Sequence, residues 1–217
     1  MKYFLIYFAF VLSTLTFGQN RHITLGIKNN GISFGNSQYN NGVRFNLFDK
    51  NVNRLNGFIL NVINVDCKII NGIAIGGLGC YEDNFNGFGI GGLYCGASTK
   101  FNGLGILGLY LMADTLNGFF ISSYLRAGNN KFDSIGCLNG VAVGPGMVRS
   151  CKLNGLSLSF MRNDIDTLNG VSIAAFWNKA KVLHGFQFGL WNVAENNKIF
   201  KQTPILNFNF RRKKLCR

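Results

Sequence analysis

The stretch DTLNGFFISSY, residues 114–124, returns at residues 166–176 as DTLNGVSIAAF. The shared phrase is an apolar residue, Asn-Gly, and then an uncharged, mostly apolar run. Aligning each copy of it places glycines at 42, 57, 72, 87, 103, 118, 140, 155, 170 and 185, spaced 15, 15, 15, 16, 15, 22, 15, 15 and 15. In the last unit His184 stands where the others carry Asn. Self-similarity at a fixed period marks an array, in which each unit covers its apolar surface with its neighbours.

Offsets counted from each glycine sharpen the unit. From Gly57 to Gly185, offsets 0 to 6 hold no charged residue in any of the nine units. Charges fall later, as at Asp66, Lys68, Glu82, Asp83, Asp114, Asp164 and Lys181. Offsets 1 and 3 are large and apolar, as in Phe58 and Leu60 or Ile73 and Ile75, and offset 4 is usually small. Alternation at period 2 predicts strand rather than helix. Asn-Gly supplies the residues that tolerate positive φ, so it predicts a corner. Each unit therefore reads as strand, charged bend and short return.

Two all-β architectures accommodate such a unit. In a β-solenoid or β-roll each 15-residue unit is one coil, and equivalent residues stack about 4.8 Å apart. Asn56, Asn71, Asn86, Asn102, Asn117, Asn139, Asn154 and Asn169 then form a structural ladder of side-chain amides, with Asn41 near its start. In an outer-membrane β-barrel, the alternative, each unit is one strand. The seven-residue uncharged band then spans about 23 Å, close to a barrel's lipid-facing height. Large residues at offsets 1 and 3 would face lipid, and Tyr94, Tyr110, Tyr124, Trp177 and Trp191 would form its aromatic girdle. Three features favour the solenoid. Alternate barrel strands run in opposite directions and need not share a motif. Only one interval, of 22 residues, is long enough for an outer loop. Small residues at offset 4 suit close packing better than a water-filled lumen.

The chain has 217 residues, 47% of them hydrophobic and 14% charged, with 28 Gly, 2 Pro and a formal net charge of +13. Aromatic content of 14% argues against disorder, and the glycines lack the period of collagen. The basic excess favours anionic partners, here envelope lipid or polysaccharide, with membrane association included and nucleic acid not expected for an exported chain. Export is read from MKYFLIYFAFVLSTLTFGQN: one early Lys, an apolar run from Tyr3 to Leu12, and small residues before Gln19. Residues 1–18 accordingly read as a signal peptide, 19–41 as an N-terminal cap, 42–199 as the β-repeat array, and 200–217 as a closing strand and basic tail. The tail RRKKLCR either grips an anionic surface or blunts an exposed edge.

Residues for chemistry are sparse. The nine carboxylates offer Asp164 with Asp166, and Asp83 with Asp114 at a shared offset, as candidates for an acidic ridge, though solvated bends explain them as well. With only His22 and His184, a nucleophile triad or a histidine metal site has little to draw on. The glycine-rich phrases GIGG and GLGILG precede no helix that would cradle phosphate. No catalytic, cofactor-binding or metal residue is expected, and no cofactor. Six cysteines in an exported chain invite disulfides. Cys80 and Cys95 share offset 8 in consecutive units and are the candidate pair, with buried thiols the alternative; Cys137 and Cys151 fall nearly in register.

The phrases NGIAIGGL, NGFGIGGL, NGLGILGL and HGFQFGLWN, with the closing TPILNFNF, resemble bacterial surface-repeat proteins built from tandem Asn-Gly-apolar-x-Ile-Gly units behind a signal peptide. NGIAIG is also similar to the β-roll head repeats of trimeric adhesins. The resemblance covers roughly residues 22–210 and implies a cell-envelope or surface location without enzymatic activity. The expectation is thus an all-β, single-domain array of about ten units, exported, with a structural or binding role; the alternative function is a membrane channel or anchor.

Overall fold

The Asn-Gly corner decides how the chain stacks. In the computed structural model, which describes residues 22–128 and 136–210 but not the side chains at 64 and 79–82, each corner glycine from Gly42 to Gly185 has φ between +117° and +141°. A Cβ built on any of them would lie 1.9–2.3 Å from the carbonyl oxygen of the corner glycine one unit earlier. That approach excludes every side chain, and the left-handed φ disfavours one independently. Glycine is required twice over.

The strands follow the repeat. They are β1 (His22–Ile27), β2 (Asn30–Gly35), β3 (Tyr39–Phe48), β4 (Val52–Gly76), β5 (Gly79–Gly91), β6 (Tyr94–Leu107) and β7 (Tyr110–Ile121). Then come β8 (Tyr124–Ala127), β9 (Cys137–Gly144), β10 (Met147–Ser159), β11 (Arg162–Ala174), β12 (Trp177–Ala194) and β13 (Gln202–Asn209). From β2 to β12 each coil pairs in parallel with the next, and glycine faces glycine: Gly72↔Gly87, Gly87↔Gly103, Gly103↔Gly118. The array is a β-solenoid of about ten turns, not a barrel. A barrel strand would return antiparallel to its predecessor; among the described residues antiparallel pairing is confined to β1 on β2 and β13 on β12, at the two ends.

The 22-residue interval is one ordinary coil carrying an insertion. β7 pairs β8 with its first half and β9 with its second, so β8 and β9 together complete a single turn. The flanks of the insertion meet, since a Cβ on Gly136 would lie 2.5 Å from the Cα of Gly128. Residues 129–135 lie outside the described residues.

The interior is narrow, and its filling is correlated across the coil. Inward positions lie two residues before each corner glycine and two and four after it, joined in the 15-residue units by positions five and seven before, such as Ala113 and Leu111 ahead of Gly118. Where Phe85 and Phe101 fill the first of these, Gly89 and Gly105 face them; where Leu116 stands instead, Phe120 fills the gap. The three rings follow one another along the axis, Phe85 tilted on Phe101 at a centroid distance of 4.4 Å and Phe101 edge-on to Phe120 at 5.0 Å. A Cβ on Gly105 would already sit 2.9 Å from Phe120 and 3.2 Å from Phe101.

Both ends of the core are polar. In the Gly42 coil, second in the stack, the inward position two after the corner is Arg44, fully buried and ion-paired with buried Asp49. Arg44 also donates to the Ser37 carbonyl at 2.9 Å and the Ser37 hydroxyl at 2.7 Å, while Asn46 and Asn61 donate to Asp49 at 2.6 and 2.5 Å. At the far end Asn163 donates to Asn178 at 3.0 Å, and Asn178 to Asn192 at 2.8 Å. These networks bond many of the polar groups that stand where other coils carry apolar residues, although Arg44 Nε and Asn163 Oδ1 are buried without a hydrogen-bond partner among the described residues.

Two outcomes test this packing. Deleting residues 103–117 rejoins Asn102 to Gly118 and should leave a shorter, protease-resistant, cooperatively unfolding array, whereas deleting only 103–110 should abolish it. Gly105→Leu should lower unfolding free energy by about 1–3 kcal/mol through overpacking against Phe101 and Phe120, measured by denaturant titration.

Candidate functional site

Just before each corner glycine, the backbone register sets one Asn amide over the next. Asn41 donates to Asn30 at 3.0 Å, Asn56 to Asn41 at 2.5 Å, and Asn71 to Asn56 at 2.8 Å. The series continues through Asn86 (2.8 Å), Asn102 (2.7 Å) and Asn117 (2.7 Å). Asn139, Asn154 and Asn169 complete it at 2.7, 2.6 and 2.8 Å. All eight asparagines expected from the repeat stand in this ladder. It also reaches further back than expected: Asn41 is an internal member and Asn30, within the segment read as a cap, is the end. The shorter spacing from Gly31 to Gly42 hides that first unit from a period of 15. His184 faces Asn169 where the residue type changes, and its Nδ1 is buried without a hydrogen-bond partner among the described residues.

After each corner the coil presents one broad outward surface. Offsets 1 and 3, the large apolar positions of the repeat, point out of the core rather than into it. Leu104 is 48% exposed, Ile106 45% and Phe119 37%. The end hairpins prolong both rows, because Leu25 and Ile23 of β1 face Ile32 and Phe34, while Phe208 and Leu206 of β13 face Phe186 and Phe188. At roughly 4.8 Å per coil and 3.3 Å per residue, the surface measures about 50 Å by 13 Å. No charge falls on it from Gly57 to Gly185.

One border of this surface is aromatic. The chain bends at Leu93, Leu109 and Phe176, all exposed, and the residues that follow are Tyr94, Tyr110 and Trp177. Tyr94, Tyr110 and Tyr124 stack with centroids 5.6 and 5.0 Å apart and planes 9–11° from parallel. Burial in this stack, and Tyr124 beside it, push the Tyr110 phenol above its ordinary value. Trp177 and Trp191 hold the same border at the far end, 42% and 41% exposed, with Arg162 over the Trp177 ring.

The candidate carboxylates are separated. Asp164 pairs with Arg162 at 3.1 Å and Asp166 with Lys181 at 2.9 Å, both at the surface. Asp83 accepts from the Ser98 hydroxyl at 2.7 Å, and Asp114 lies in the coil beyond Ser98. Among the described residues no three of His, Cys, Asp and Glu gather where they could hold a metal ion. Cys80 and Cys95 are opposite one another in the backbone ladder, as expected, but the side chain of Cys80 lies outside the described residues. Cys137 faces Lys152, one position beyond Cys151, and its thiol lies 3.4 Å from Asn139 Oδ1. A shallow hollow of about 630 Å³ lies between residues 196–200 and β13, lined by Asn197, Phe200, Leu206 and Phe208. Its amides are engaged with one another, Asn197 donating to Asn207 at 2.8 Å and Asn209 to Asn197 at 2.5 Å.

No family model matches the chain, and neither a curated protein nor a solved structure matches it.

The amide ladder makes a position-dependent prediction. Asn102→Leu breaks bonds to both Asn86 and Asn117 and should cost about 1–3 kcal/mol, while Asn30→Leu removes one bond at an exposed end and should cost a fraction of that. Equal losses in thermal or denaturant unfolding would contradict a continuous ladder.

Proposed function

We propose that this chain is a non-enzymatic repeat protein exported to the bacterial cell envelope, where the solenoid serves as a rigid structural or binding surface. The observation that carries the reading is the continuous, charge-free outward surface built by offsets 1 and 3 of each unit. Its area, roughly 600–700 Å², exceeds the largest apolar patch of a typical soluble monomer. A repeat array holds such a surface continuous because backbone hydrogen bonds run from coil to coil and leave side chains alone to face outward. The polar plugs around Arg44 and Asn178 close the interior at both ends, so the working part of the molecule is its outside.

Export is supported by the apolar run from Tyr3 to Leu12 and the small residues ahead of Gln19, which lie outside the described residues. The likeness of the Asn-Gly phrases to surface-repeat proteins supports the envelope as destination.

Fractionation of a Gram-negative host expressing the full chain tests the proposal. The recovered protein should begin at Gln19 by amino-terminal sequencing and partition with the envelope, and a version lacking residues 2–18 should stay in the cytoplasm. Protein still beginning at Met1 and recovered from the cytoplasm would overturn the reading.

A further inference from the structure

We infer that the outward apolar surface seats on an anionic lipid membrane, lying in its interface with the two rows at offsets 1 and 3 directed into the acyl region. The inference deepens the envelope reading and rests on it for the compartment. Four observations combine. The surface is apolar and free of charge along nine consecutive units, and both end hairpins extend it rather than interrupt it. From β2 to β12 its backbone amides and carbonyls are spent on strand-to-strand ladders, so burial of that stretch in hydrocarbon strands no polar main chain on this face. The Tyr94–Tyr110–Tyr124 stack with Trp177 and Trp191 lines one border, where amphipathic rings bridge apolar and hydrated layers.

The fourth observation is charge. The chain carries a formal +13, and its densest basic run, Arg211, Arg212, Lys213 and Lys214, is joined directly to Phe210. Phe210 belongs to the apolar surface, its ring 5.0 Å from that of Phe186. Residues 211–217 lie outside the described residues; their charge and their covalent attachment are what matter here. An apolar face joined to a polybasic segment provides the two signals that stable membrane attachment needs. A second copy is the other occupant of sufficient size, since two such faces would bury roughly 1,300 Å². That copy would bring another +13 against the first, whereas anionic head groups bring the opposite sign.

The two tryptophans are the chain's only ones and both sit on the border, which supplies the probe. The full chain is mixed with vesicles of phosphatidylglycerol and phosphatidylcholine whose acyl chains carry bromine, a contact quencher. Because residues 3–12 can hold the chain on a vesicle by themselves, the reading is tryptophan quenching rather than binding. Wild type should lose about half its tryptophan emission, and the double variant Leu104→Asp with Phe119→Asp should lose little, as two charges enter the apolar rows. Both positions are outward, so the variant should keep wild-type protease resistance; vesicles of phosphatidylcholine alone should quench wild type far less. Absent quenching in wild type, equal quenching in the variant, or equal quenching by uncharged vesicles would each overturn the inference. So would a wild-type dimer by light scattering that the same two substitutions dissociate, which would assign the surface to a second copy. These readings are made outside the cell, so failed export and failed membrane seating are separate results.

Discussion

A Cβ at any corner from Gly42 to Gly185 would occupy the space of the preceding corner glycine's carbonyl, and everything else in the array is arranged around that contact. It fixes the register of one coil on the next at one point per turn. With the register fixed, the residue before each glycine has no choice of neighbour, and an asparagine there meets an asparagine. An amide can donate and accept along one line, so one residue type satisfies each step without alternation. The column of backbone contacts sets position; the column of amides adds direction and cohesion.

Much of this was legible in the sequence because the period is strict and the corner residues are unmistakable. Parallel stacking followed from identical units needing identical surroundings, and the ladder from Asn56 to Asn169 followed from stacking. Less legible was the sense of the alternation. The largest apolar side chains, such as Phe58, Ile73 and Leu104, ordinarily mark the buried face of a strand. Here the interior is already filled by the other face of each strand, where Gly105, Ala142 or Ser157 stands opposite Phe101, Leu138 or Leu153. Hydropathy alone therefore points to the wrong face. The disagreement is informative, since a chain that places a second row of large apolar side chains outside, beyond those that fill its core, has that row placed for something other than its own core.

Arg44 was also hidden, for a related reason. It occupies a position that in later coils is Ile59, Ala74 or Phe120, and nothing in its immediate sequence separates it from a surface arginine. Only the fold brings Asp49, Ser37 and Asn61 to it. The asparagines 163, 178 and 192 do the same work at the other end with neutral groups. A buried ion pair contributes little net stability against an apolar replacement, but removing one partner leaves a bare charge. Such plugs serve as terminators: toward each end the interior column changes from apolar to polar residues, so an extra coil would find no apolar core to extend. Open strand edges remain at β1 and β13, yet the interior offers nothing for further growth.

The neck at Gly128 and Gly136 has a consequence for how such a molecule changes over time. A segment that leaves and re-enters a coil through adjacent points adds no strain to the turns above and below, and the entropy of closing it rises only slowly with length. The hydrogen bond that Asn139 donates to Asn117 crosses that interruption at 2.7 Å, beside 2.7 and 2.6 Å for the bonds on either side. New sequence can therefore accumulate at this one site, as a binding loop or a whole inserted domain, while the glycine column holds the surrounding coils unchanged. The scaffold and its ornament can evolve at different rates.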